Sequence, residues 1–224
     1  MKIGFVIADE NEFYPFLDFA RENSAKEFRK RNRDYIEFSY AGKEIVAVKA
    51  GIGKVNGATS AAFLIADEKV DAIMSFGLSG AISGLCKNDI VAGTSYTECD
   101  FDLTAIGYPL GKKPQDVYVY EADKTLLEAA LKVEGMKTAA CGCGDLFLAD
   151  KVKKNLYKET FNINEFDMET GAEASVCHDA GVPFLAIRQI SDTADDTAAT
   201  NYRELNNEKP VDLTLVIKQI IELL

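Results

Sequence analysis

Four runs in this chain, KIGFVIA (2–8), EIVAVKA (44–50), DAIMSFG (71–77) and PFLAIRQI (183–190), are almost continuously apolar and rich in β-branched or aromatic residues. A strand with one wet face alternates polar and apolar residues, whereas a strand apolar throughout must be covered on both faces. Runs of this kind require helices on either side of a sheet, which narrows the chain to an α/β fold. YIEFSYAG (35–42), DIVAGTSYT (89–97) and MKTAACGC (136–143) read as further strands. Helical periodicity occupies the intervals near 10–22, 54–68, 123–132, 169–180 and 211–223. The stretch Gly107 to Gln115, GYPLGKKPQ, reads as a surface loop rather than a linker, because strand-helix alternation resumes after it. A chain of 224 residues that is 47% hydrophobic is expected to form a single domain and to bury roughly 70 to 75% of its unfolded surface.

The formal charge of −11 opposes binding to nucleic acid, since neutralising phosphates needs clustered Lys and Arg. The one basic run, Lys26 to Arg33, is interrupted by Glu27, Phe28 and Asn32, and reads as a solvated helix face or a loop. Five cysteines, an odd number without framework spacing, point to reduced thiols and a cytoplasmic protein. Cys141 and Cys143 form C-x-C rather than C-x2-C, and His178 is the only histidine, so no metal centre is expected and the two thiols read as buried strand residues. The N-terminal apolar run, Ile3 to Ala8, is shorter than a signal-peptide core, and no stretch approaches the ~18 apolar residues of a membrane span.

Glycine-rich turns follow two of the strands. Gly51-Ile52-Gly53-Lys54-Val55-Asn56-Gly57 has one residue too many for a dinucleotide fingerprint and lacks the ending of a P-loop. It reads either as a tight turn that brings a small-residue helix close to the sheet or as backbone amides at a helix start lining a ligand pocket. Gly77-Leu78-Ser79-Gly80-Ala81 fails as a nucleophile elbow because position 81 is Ala. His178 reads as a residue near the end of a helix closed by Gly181. The carboxylates are more informative. Asp9, Glu10 and Glu12 follow the first strand, Glu169 follows INEF, and Asp192 follows PFLAIRQI. In a parallel sheet such strand ends share one edge, where ligands bind, although first-turn acids also interact with the helix dipole. Arg188 is placed to hold one of these acids ionised.

Taken in order and spacing, GIGKVNGA, DIV with DFDLTAIGY, GDLFL, FDMETGAEASVCHDAGVPF and IRQISDTADD resemble the 5'-methylthioadenosine/S-adenosylhomocysteine nucleosidases of the nucleoside phosphorylase superfamily, over residues 2 to about 202. The resemblance implies a three-layer α/β/α fold with a mixed, partly barrel-like central sheet, a homodimer, no cofactor, and an adenine nucleoside as the small-molecule partner. Carried over by position, Glu12 would be the base for the attacking water. Asp192, supported by Ser191, would donate a proton to adenine N7. Glu169 would accept hydrogen bonds from the ribose hydroxyls, Met168 would pack on the sugar, and Arg188 would orient the water and its carboxylates, with Asp167 outside the site. Phe147 would stack on the purine and the Leu148 backbone would contact its edge. Ile52, Gly77 and Leu78 would also bind the substrate, Leu78 near the water and ribose, and Ile106, Tyr108 and Tyr202 would form an apolar pocket for the 5'-substituent.

These residue types suit cleavage of an N-glycosidic bond, in which positive charge grows on the sugar and negative charge on the departing purine. One departure concerns Leu78, which stands where the family commonly has a hydroxyl residue, with Ser79 one position later. Two alternatives fit the same fold. A phosphorylase of the superfamily would use phosphate, but its arginine after the first strand is replaced here by the ADENEF region with Glu12. A non-catalytic nucleoside-binding protein would not need Glu12, Glu169 and Asp192 together.

Overall fold

A computed structural model describes residues 1–114, 117–208 and 212–224. Its sheet is built outward from β5 (Ala72–Ala81), the strand of the DAIMSFG run. The first half of β5 pairs in parallel with β1 (Lys2–Ile7), which pairs in parallel with β4 (Lys43–Lys49). Beyond β4 lie β3 (Arg33–Tyr40) and β2 (Lys26–Lys30), both added antiparallel. Most of β5 also runs parallel to β10 (Phe184–Asp192), and its last residues, Gly80 and Ala81, pair with β9 (Glu165–Asp167). β10 then meets β6 (Ile90–Glu98), β6 meets β8 (Lys137–Cys143), and β8 meets β9. Strands β5, β10, β6, β8 and β9 therefore close a ring, while β1, β4, β3 and β2 continue as an open sheet. The short β7 (Val119–Glu121) pairs with β6.

Helices cover both faces, as the apolar strands require. Along β1, Phe5 packs with Phe16 of α1 (Glu10–Glu22), Leu126 of α3 (Lys124–Ala130) and Ile217 of α7 (Thr214–Leu223). The next residue, Val6, points the other way, into a cluster with Leu64 of α2 (Lys54–Ala66) and Cys177 of α5 (Thr170–Ala180). This alternation gives three layers. The Gly107–Gln115 stretch is irregular as far as Pro114; Gln115 lies outside the described residues, as does position 211 at the start of the last expected helix. Cys141 and Cys143 are buried on β8, and Gly181, at φ 65°, closes α5 by donating to the Cys177 and His178 carbonyls. Among the described residues, no helix is long and apolar enough to cross a membrane.

Four elements differ from the sequence reading, the short β7 among them. The basic run is neither helix nor loop: residues 26–30 form β2, joined to β3 through Arg31 and Asn32, both at positive φ as a tight hairpin turn requires. Phe28 stacks on Tyr35 at 5.2 Å between ring centroids, which fixes one face, and the lysines and arginine of an edge strand discourage pairing with another chain. The helix α4 (Lys151–Phe161), whose only buried residue is Tyr157, was hidden by its charge; Asp150 caps it by accepting from the Val152 and Lys153 amides. The helix α6 (Ala198–Glu208) follows the Asp192 turn.

Candidate active site

The carboxyl ends of β1, β5, β9 and β10, with the GDLFL loop after β8, meet around a cavity of about 370 Å³. Glu12 enters it from the first turn of α1. Its position follows from a capping box: Asp9 accepts hydrogen bonds at the helix start, and the Asp9 amide donates back to Glu12 Oε2 at 3.1 Å. The other oxygen, Oε1, accepts from the Leu78 amide at 2.8 Å. Leu78 thus holds the acid through its backbone, an interaction independent of side chain. Gly77 does not line the cavity but leaves room beneath it, since a methyl there would lie 2.5 Å from Glu12 Oε1. Glu12 is both a helix-start acid and a wall of the cavity.

Glu169, at the start of α5, accepts from the Gly53 amide at 2.8 Å. Of the two readings of the glycine turn, the structure shows the tight turn that brings a helix close. Gly51 and Gly53 adopt φ of 87° and 102°, and a methyl on Gly57 would come within 2.9 Å of Glu173 and 3.2 Å of Glu169, so α2 lies against α5 only because these residues are glycines. The freed amide of the turn is directed at the acid rather than at a ligand. Ile52, exposed at the turn, borders the cavity together with Met168 and Leu78.

At the other end, Asp192 is buried and accepts from the Ala194 amide at 2.7 Å through Oδ1. Ser191 Oγ lies 2.6 Å from Asp192 Oδ2 and 3.1 Å from the Ser79 carbonyl. One hydroxyl proton cannot serve both acceptors, so a neutral Asp192 that donates to Ser191 completes the pattern. Burial acts the same way, raising the Asp192 carboxyl above its ordinary range against the hydrogen bonds from Ser191 and Ala194 that lower it. Phe147 and Leu148 line this cavity, with Phe147 half exposed and edge-on to Tyr202 at 5.5 Å.

Besides Gly77, three expected site residues stand outside the cavity lining. Ile106 and Tyr108 do not line the cavity; they are 70% and 38% exposed on the segment after β6. Arg188 lies behind the wall, donating from Nε to Asp167 Oδ2 at 2.8 Å and from its terminal nitrogens to Ser75 Oγ and the Ile187 carbonyl. These three bonds fix the guanidinium against Asp167 on the far side of the cavity wall. Asp167, expected outside the site, borders the cavity and is its organiser: besides holding Arg188, its Oδ1 accepts from the Glu169 and Thr170 amides and the Thr170 hydroxyl, capping α5. Sequence reasoning missed it, although a buried arginine must have an acid beside it. Phe166, Leu146, Ala194 and Ser79 also line the cavity without a sequence signal of their own.

Among the described residues the buried charged side chains are one cation, Arg188, and the carboxyls of Glu12, Glu165, Asp167, Glu169, Glu173 and Asp192. Burial pushes Glu12 up to about 6 and, with the charge of Asp167 beside it, Glu169 up to about 8. Such a site offers acids near neutrality at both ends of a largely apolar cleft, the equipment for proton transfer to and from a bound molecule.

Comparison with known proteins identifies the family. The Phosphorylase superfamily model matches residues 2–221. The chain is 32% identical over 213 residues to the 5'-methylthioadenosine/S-adenosylhomocysteine nucleosidase of Shewanella piezotolerans, covering 91% of each. Among solved structures, a mutant of the Helicobacter pylori 5'-methylthioadenosine nucleosidase with 5'-methylthioadenosine in its active site superposes with a TM-score of 0.94 at 26% identity, over 100% of this chain and 99% of that one. A futalosine hydrolase mutant from Helicobacter pylori also superposes with a TM-score of 0.94, at 25% identity over the whole of both chains. The chain therefore belongs to the phosphorylase superfamily and, within it, to the 5'-methylthioadenosine/S-adenosylhomocysteine nucleosidases.

Proposed function

We propose that the protein hydrolyses the N-glycosidic bond of 5'-substituted adenine nucleosides, releasing adenine and the free sugar. The observation that carries this reading is Glu12, a buried carboxyl with a raised pKa fixed by two backbone amides at the cavity wall. Glu12 takes a proton from water as the water attacks the sugar, Glu169 accepts the ribose hydroxyls, and Asp192 gives its proton to the purine nitrogen as the bond breaks. Negative charge beneath the sugar stabilises the cation that forms there. Phosphorolysis is disfavoured: no Lys or Arg is among the described cavity-lining residues, and Glu12 would repel a phosphate dianion. Met168 packs on the sugar, Phe147 and Leu148 hold the purine, and Tyr202, Ile52 and Leu78 supply apolar surface around the rest of the nucleoside.

The whole chain is read as one domain that works as a homodimer in the cytoplasm. Its exposed apolar residues support pairing: Ile106 and Tyr108 after β6, Ile52 and Val55 at the start of α2, and Val152 and Leu156 on α4. The five free thiols suit a reducing compartment. The test of function is incubation with methylthioadenosine, S-adenosylhomocysteine, 5'-deoxyadenosine, futalosine and inosine, with and without phosphate. Free reducing sugar formed without phosphate supports hydrolysis. A sugar phosphate formed only with phosphate, or tight binding without turnover, would replace it.

A further inference from the structure

The loop that carries Phe147 has no regular structure of its own. It runs from the end of β8 to α4, with backbone bonds from the Gly144 amide to the Asp167 carbonyl at 3.1 Å and from the Leu146 amide to the Gly144 carbonyl at 2.8 Å. A closed ring of polar bonds fastens it to the glycine turn. Asp145 Oδ1 accepts from the Lys54 amide at 2.7 Å, the Asp145 amide donates to Oδ2 of Asp100 just past β6 at 2.9 Å, and Asp100 Oδ1 accepts from Lys54 Nζ at 2.6 Å. Lys54 Nζ also donates to Glu98 Oε2 at 3.1 Å. The Lys54 and Asp100 side chains are 17% and 20% exposed, so their pairing is less screened than that of an ordinary surface ion pair. The fit is close: a methyl on Gly53 would lie 3.1 Å from Asp145 Oδ1, and one on Gly144 would lie 3.0 Å from the Asp100 carboxyl carbon. The amide before that of Lys54 belongs to Gly53 and holds Glu169 at 2.8 Å. Two successive amides at the head of α2, where N–H groups lack helical partners and negative charge is favoured, therefore hold two carboxylates. One is the acid at the sugar, and the other stands at the root of the loop that carries Phe147.

We propose that Asp145, fixed by Lys54 and Asp100, is a positioning residue that sets Phe147 against the purine at a defined distance from Glu169. The inference rests on the assignment of Phe147 to the purine and Glu169 to the ribose. Asp145, Lys54 and Asp100 are not among the described cavity-lining residues, so they act on the nucleoside through the loop. The glycine turn is a common footing for both halves of the substrate, and its shape governs purine affinity as well as the packing of α2.

The test measures inhibition of methylthioadenosine hydrolysis by its two products, adenine and 5-methylthioribose. The proteins are the wild type, Phe147→Ala, Asp145→Ala, Asp145→Asn and the double variant Asp145→Ala/Phe147→Ala, each checked by a thermal melt. Losing the bond to the Lys54 amide should raise the adenine inhibition constant of Asp145→Ala about three- to tenfold and leave that of 5-methylthioribose within about twofold. Asp145→Asn keeps an acceptor for that amide and should stay within about twofold of wild type for both. In the double variant the further loss due to Asp145→Ala should shrink below about twofold, because the ring through which Asp145 acts is gone. An unchanged adenine constant in Phe147→Ala would remove the purine assignment and the inference with it. A loss in Phe147→Ala would leave that assignment standing, and three results would then overturn the inference alone: an unchanged adenine constant in Asp145→Ala, equal losses on adenine and the sugar, or losses that add in the double variant. If Asp145→Ala does not fold, Asp100→Ala releases the same loop from the other side of the ring and carries the same expectations.

Discussion

Replacing Gly77 with alanine is a sharp probe of the base, because it changes one methyl without touching any chemical group. The added carbon would lie 2.5 Å from Glu12 Oε1 and 2.8 Å from Oε2, where contacts under 3.0 Å are essentially never seen, so the carboxylate must retreat by about 0.5 Å or more. Nothing else need move: Gly77 is not at a positive φ, so alanine suits the backbone. Retreat stretches the bond from the Leu78 amide, now 2.8 Å, and carries the base off its line to the water. A misplacement on the scale of 1 Å costs about 10²-fold in rate, or roughly 2.7 kcal/mol at about 1.36 kcal/mol per decade. The expected result for Gly77→Ala is a fall in kcat of about that size, with affinity for a nucleoside analogue within about threefold of wild type. The assay is steady-state release of adenine, alongside analogue titration and a thermal melt. A variant that folds normally and keeps near-wild-type kcat would show that the position of Glu12 is not critical, and would remove it as the base.

Asp192→Asn should lower turnover of methylthioadenosine by at least ~10³-fold yet spare a nitrophenyl 5-methylthioriboside, whose leaving group needs no proton; equal losses on both substrates would remove the proton-donor role. Phe147→Ala should weaken analogue binding by ~1 to 3 kcal/mol, and an unchanged Kd would take Phe147 out of the purine contact. The acids Glu12, Glu165, Glu169 and Glu173 all have folded-state pKa values raised above the ordinary carboxylate value. The folded state thus binds more protons, and the stability this contributes, complete below about pH 4.5, is lost as pH rises through about 6 to 8. Thermal melts between pH 5 and 8 should show a falling midpoint, and a rise across that interval would contradict the burial of these groups.

The continuous apolar runs disclosed the strands of the sheet because a strand covered on both sides has only one way to look in sequence. Short or polar elements gave less: β9 showed only as the INEF run, β7 with three residues gave no sign, and α4 buries one side chain. The Lys26–Lys30 strand was masked by its charges, since what fixes it is the stacking of Phe28 on Tyr35 across a hairpin. In the site, Glu12, Glu169 and Asp192 could be seen because each follows a strand. Asp167 could not be distinguished from its neighbours, because its task is to hold Arg188, a residue 21 positions away whose guanidinium turns inward. Ile106 and Tyr108 matched by position but stand outside the cavity of their own chain, which sequence order cannot express.

The capping box at the head of α1 places the proposed base inside a structural joint. The oxygens of Glu12 secure the Asp9 and Leu78 amides as a charged acceptor, and charged hydrogen bonds are roughly twice as strong as neutral ones. If Glu12 is the base, it becomes neutral on taking the proton of water, and both bonds weaken at that moment. On that reading each catalytic cycle slackens the link between the first turn of α1 and the end of β5, and restores it when the proton leaves. A change made to stiffen the helix start would then also alter how readily the site resets.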